Sequence, residues 1–131
     1  IYVYRIYGKS LLLNISSESQ DVGAGVLLRA IEPMFGLSLM QRHRPAAPKA
    51  ALARGPGNLG AALQISLNMN GLLIGDPPLR LLSDGLMPET AAARRIGIRK
   101  NADMLWRYYM RGSRYVSGPR SIVTAGHGNG E

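Results

Sequence analysis

Cysteine is absent from this 131-residue chain, which excludes a disulfide framework and a thiolate metal site; a reducing compartment fits best. Histidine is scarce. His43 falls in a polar loop and His127 in a glycine-rich tail, neither at ligand-like spacing from acidic residues, so no metal site is expected. Acidic residues are the minority charge, 8 Asp+Glu against 16 Lys+Arg, for a formal net charge of +8. That excess attracts polyanions such as nucleic acid or anionic lipid. Lysine contributes little of it: Lys9, Lys49 and Lys100 are the whole complement. Guanidinium forks match phosphates bidentately, which suits nucleic acid better than a diffuse membrane patch, although a GC-rich genome produces the same bias without any such role. No apolar run approaches the roughly 20 residues a bilayer span needs, and no basic region opens the chain as in a signal peptide. There is no initiator Met, and strand-like alternation is under way at Ile1, so further sequence upstream is expected. Internal repeats and heptads are also lacking.

What is present suffices for one domain. The hydrophobic content is 46%, enough for a real core but not for two. Ile1 to Gly8 alternates, with Tyr2, Tyr4 and Ile6 on one face and Val3, Arg5 and Tyr7 on the other. Gly8-Lys9-Ser10 reads as a tight turn and Leu11 to Ser16 as a second strand, making a β-hairpin with Tyr7 beside its tip. A polar loop follows, then Val26 to Glu32 as a third, buried strand ending at Pro33. The pattern predicts a short amphipathic helix over Leu37 to Arg44, a mobile Pro/Ala-rich loop around Pro45 and Pro48, and a helix capped by Asn58 that buries Leu59, Ala62 and Leu63. Leu79 to Ser83, Arg94 to Ile98 and Met104 to Arg111 read as strands. In the last, Trp106, Tyr108 and Met110 alternate against Arg107, Tyr109 and Arg111. The folded domain is expected over 1–117, with a Gly/Ser/Pro-rich disordered tail over 118–131.

Several residues stand out chemically. Arg29 shares a predicted strand face with Leu27 and Ile31, where water is scarce, so it needs an anionic partner. An internal carboxylate is the commoner answer; a phosphate or a catalytic carboxylate is the functional one. Asn14 interrupts Leu11-Leu12-Leu13 and Ile15, so its amide must find partners within the sheet or face a polar pocket. Three of the six tyrosines lie in the opening segment, where cross-strand packing is the ordinary explanation. Tyr7 is less ordinary, because a ring bracketed by Arg5 and Lys9 at a hairpin tip could wedge between bases while the cations hold phosphates.

These segments resemble one family. Tyr2-Val-Tyr4-Arg-Ile-Tyr7-Gly8, Asn14-Ile-Ser-Ser17 and Val26-Leu-Leu-Arg29-Ala-Ile-Glu32-Pro33 are similar to consecutive blocks of the alkyladenine/3-methyladenine DNA glycosylases. Gly55-Pro56-Gly57-Asn58-Leu59 with Ala62-Leu63, Arg95-Ile96-Gly97-Ile98, and Trp106-Arg107-Tyr108-Tyr109 with Arg111-Gly112-Ser113 follow in the family's order.

The resemblance implies a single mixed α+β domain with a curved antiparallel sheet, a β-hairpin and short peripheral helices, similar to the C-terminal domain of formyltransferases. It implies a monomer that binds duplex DNA, flips a damaged purine into a pocket and hydrolyses its N-glycosidic bond without a cofactor. Tyr4 matches the aromatic that stacks on the flipped base, and Tyr2 another tyrosine lining the pocket. Asn14 matches the amide that disfavours guanine's exocyclic amino group, and Tyr7 the wedge. Arg29 matches the arginine near the attacking water and the target phosphate, and Ile96 the main-chain carbonyl that holds that water. Such an enzyme belongs in the bacterial cytoplasm with the nucleoid, or in a eukaryotic nucleus.

Four departures accompany the likeness. The family's general base is a glutamate in a Glu-Ala-Tyr-like segment followed by a pocket histidine, and this sequence contains neither; Glu18, Glu32, Glu89 and Glu131 match other positions. Asn58 stands where many relatives have lysine, the link from Ile98 to Trp106 is short, and the loop after Ser17 is long. Two other readings compete with the enzyme: a catalytically inactive DNA-binding module of the same family, and a basic RNA-binding domain in which Tyr2, Tyr4 and Trp106 stack on bases.

Overall fold

The alternation at the start of the chain forms the expected hairpin. In a computed structural model describing residues 1–19 and 21–118, β1 (Tyr2–Ile6) pairs antiparallel with β2 (Ser10–Ser16), placing Tyr2 opposite Asn14, Val3 opposite Leu13 and Tyr4 opposite Leu12. The short strand β3 (Gly25–Leu27) pairs with the far side of β2, so the order is β1-β2-β3 with β2 central. Val3 and Leu13 share one face, and helix α2 (Pro56–Ala62) closes it, with Leu59 and Ile65 completing a buried cluster. Burying side chains such as Leu13 and Leu59 fully contributes about 1.5–3 kcal/mol each. A second cluster joins Met40 of helix α1 (Leu37–His43) to Leu52, Ala53 and Ala62. The free edge of β1 is covered, since Asn70 Oδ1 accepts the Val3 N–H at 2.9 Å.

A separate antiparallel ribbon joins β4 (Thr90–Ala93) to β5 (Arg107–Met110), with Ala91 opposite Tyr109 and Ala93 opposite Arg107. Among the described residues the architecture is therefore mixed, with two small antiparallel sheets and two short α-helices. No helix among the described residues is long and apolar enough to cross a bilayer.

Several elements differ from expectation. The third strand stops at Leu27 because the chain changes partner: the Leu28 N–H still donates to Leu13 O, but Ile31 N–H turns to Ala53 O, and Arg29 O accepts from Gly55 N–H. Asn58 is not the cap of α2. Gly55 holds that position, Pro56 begins the helix, and the Asn58 amide donates back to Arg54 O at 2.8 Å. Leu79 to Ser83 finds no partner strand; the Leu81 N–H instead reaches back to Ile74 O. The strand expected from Arg94 ends before it begins, because the ladder stops at Ala93 and Gly97 takes a φ of 75°. The Pro/Ala-rich loop expected to be mobile is tied down by Gln41, whose amide reaches the carbonyls of Arg44, Pro45 and Ala47, and by Arg44, which reaches those of Ala51 and Leu52. Of the tail expected over 118–131, all but Gly118 lies outside the described residues.

Candidate functional site

The face of the three-stranded sheet turned away from α2 carries Tyr2, Tyr4 and Asn14, because side chains two residues apart share a face and the register sets Tyr2 against Asn14. Opposite that face stands the β4–β5 ribbon, and between them lies a cavity of about 850 Å³. Tyr4 and Asn14 line it from the hairpin, Arg29 from the extended segment after β3, and Ile96 from the turn after β4. Four residues from separate stretches of sequence thus meet in one place.

Asn14 is 8% exposed, and its amide nitrogen donates to the carbonyls of Tyr2 at 3.3 Å and Leu12 at 3.4 Å. Both bonds are at the long, weak end of the range. Asn14 therefore both finds partners in the sheet and faces the cavity. Tyr2 does not reach the cavity lining. Its ring lies against that of Tyr4 with centroids 5.5 Å apart, tilted by 30°, so it buttresses Tyr4.

Among the described residues Arg29 forms no ion pair with a carboxylate. The ion pair found among the described residues is Arg111 Nε with Glu89, exposed and far along the ribbon, and the buried Arg29 Nε has no hydrogen-bond partner. The commoner expectation, an internal ion pair, is not met there. Burial, with the charge of Arg107 adding to it, pulls the Arg29 guanidinium below its ordinary pKa. The lining is cationic, with Arg29, Arg95 and Arg107 against Glu32.

Tyr7 lies away from the cavity, at the tip of the hairpin. Its ring is 88% exposed, Arg5 and Lys9 beside it are exposed as well, and both Tyr7 and Gly8 adopt positive φ, 50° and 69°, with the Lys9 N–H closing the turn on Ile6 O. Left-handed backbone at a non-glycine residue costs on the order of 1–2 kcal/mol. The turn thus holds an aromatic ring in water in an uphill conformation.

Sequence reasoning missed Arg107. Tyr108 and Met110 are the exposed face of β5 and Trp106 just before it is exposed too, whereas Arg107 and Tyr109 face inward. This orientation follows from β4, whose Ala91 and Ala93 oppose Tyr109 and Arg107 and leave room for a guanidinium and a ring. The run of alanines was the available signal. Among the described residues no group of three or more His, Cys, Asp or Glu gathers.

The profile of the methylpurine-DNA glycosylases matches residues 1–114. The chain belongs to that family. Over 123 residues it is 50% identical to a protein of Mesorhizobium japonicum whose provisional name is 3-methyladenine DNA glycosylase, covering 92% of this chain and 59% of that protein. A protein of Methanoculleus marisnigri under the same name is 43% identical over 121 residues, 88% of this chain and 63% of the relative. One from Rhodopseudomonas palustris strain BisB18 is 44% identical over 118 residues, with 90% and 59% covered. The chain therefore spans about three-fifths of the length of these glycosylase relatives.

Proposed function

We propose that this chain forms the DNA-binding platform and part of the active site of a base-excision glycosylase acting on alkylated or deaminated purines in duplex DNA. The observation that carries the reading is the convergence of Tyr4, Asn14, Arg29 and Ile96 on one cavity. The platform is read as a curved sheet with peripheral helices like that of formyltransferase C-terminal domains, working as a monomer. Tyr4, backed by Tyr2, stacks on the extruded base; Asn14 disfavours the amino group of guanine; Tyr7 fills the vacated stack while Arg5 and Lys9 hold phosphates. Arg29 positions phosphate and water, and the main-chain carbonyl of Ile96 helps hold that water.

Hydrolysis needs a carboxylate to deprotonate the water. The family's Glu-Ala-Tyr-like segment is not in this sequence, so the chain alone binds rather than cleaves. Alkylation at N3 or N7 already makes the purine a better leaving group, and no cofactor is required.

Fluorescence anisotropy of the chain with duplex DNA and with RNA of the same sequence tests the reading. Affinity for the duplex should fall with salt at a log-log slope near −0.9 per neutralised phosphate. A salt-independent affinity, or an RNA preference of about tenfold or more, roughly 1.4 kcal/mol, would overturn it.

A further inference from the structure

Arg107 is 4% exposed, and its guanidinium is held on three sides. Nε donates to Arg94 O at 3.0 Å, Nη1 donates to Ser117 O at 3.2 Å, and the face of the Tyr109 ring lies 5.3 Å from Cζ. One group is left over. Nη2 is buried with no hydrogen-bond partner among the described residues, as is Nε of Arg29, and both arginines line the same cavity. Arg107 is near enough for its charge to disfavour protonation of Arg29. Glu32, the acidic residue of the lining, is exposed and pairs with neither among the described residues.

An unsatisfied buried donor costs about 1–3 kcal/mol, and more when charged. Water between the two arginines would satisfy their hydrogen bonds but leave two like charges together. An oxyanion does both, through charge-assisted bonds. We propose that Arg29 and Arg107 are two arms of one oxyanion site, with Arg107 the fixed arm, and that its occupant is a single phosphate of a polynucleotide backbone. The choice of a backbone phosphate over a free one rests on the DNA-binding reading above; the pairing of the two arginines does not. Arg107 becomes the residue that fixes where that phosphate sits, because its other two bonds anchor it to the end of β4 and to the 113–117 loop.

The test uses the whole chain, ¹⁵N-labelled, with arginine Nε–Hε resonances followed as inorganic phosphate is added. Duplex DNA affinity is then measured against salt for wild type, Arg29→Lys, Arg107→Lys and the double variant. Phosphate should move the Arg29 Nε–Hε signal saturably. Either substitution should weaken phosphate binding by about tenfold, because an ammonium keeps the charge but not the fork. In DNA, replacing either arginine with lysine should weaken binding, and the double variant should lose no more than the worse single one, as for one shared phosphate. Arg29→Lys carries the test if Arg107→Lys does not fold, since Arg29 is only half-buried. An Arg29 signal unmoved by phosphate, with DNA binding unaffected by either variant, would overturn the two-arm site and leave the DNA-binding reading standing. Phosphate binding without DNA binding would overturn the backbone assignment and make the site one for a free phosphate.

Discussion

A Cβ on Gly60 would stand against the carbonyl oxygen of Leu11, closer than real Cβ contacts come, because α2 lies directly on the backbone of β2. That approach brings Leu59 against Val3 and Leu13 and holds the sheet so that its other face is free for the cavity. Alanine in a helix interior is ordinarily favoured over glycine by about 1 kcal/mol. Here the partner is backbone and cannot move aside. Gly60→Ala should therefore destabilise, with overpacking of about 1–3 kcal/mol exceeding the propensity gain. Urea unfolding checks this, and a more stable variant would show that the helix stands farther off.

Tyr7 separates stability from function. An aromatic cut to Ala in a core costs about 3–5 kcal/mol, but this ring is exposed, so Tyr7→Ala should leave the melting temperature nearly unchanged. Tyr7→Gly should raise stability by about 1 kcal/mol, since glycine meets the positive φ without strain. Both variants should weaken retention of a flipped fluorescent purine by the chain. Normal retention by Tyr7→Ala, or its unfolding, would remove the wedge role.

Much of this was legible in the sequence because hairpins are local. The alternation of Tyr2 to Ile6 and the turn at Gly8 gave both strands, and Asn14 was visible as a polar residue in an apolar run. Arg29 was placed in a strand that does not extend to it, yet it is partly buried all the same, because the extended segment after β3 packs against the 53–55 stretch. The ribbon was harder. The alternation left open which face turns inward; Trp106, Tyr108 and Met110 are exposed, whereas Arg107 and Tyr109 lie inward against the small side chains of β4. The partner change at Leu28 and the Ile74–Leu81 contact depend on segments distant in sequence, which local patterns do not encode.

Base release tests the missing carboxylate. The chain alone should liberate no base from DNA containing 3-methyladenine or hypoxanthine, since this sequence has no Glu-Ala-Tyr-like segment to supply the general base. Glu32 is the acidic residue at the cavity. Release above background that Glu32→Gln abolishes would assign the base to Glu32 and contradict the account.

Lesion preference tests the central claim, that this cavity takes an extruded purine. A weakly paired base is cheaper to extrude, so the chain should bind a duplex with one hypoxanthine more tightly than the undamaged duplex, by about tenfold or roughly 1.4 kcal/mol. Tyr4→Ala, which removes the ring from the cavity wall, should bring the two affinities together while general duplex binding remains. Equal affinity of the unaltered chain for both duplexes would contradict the account.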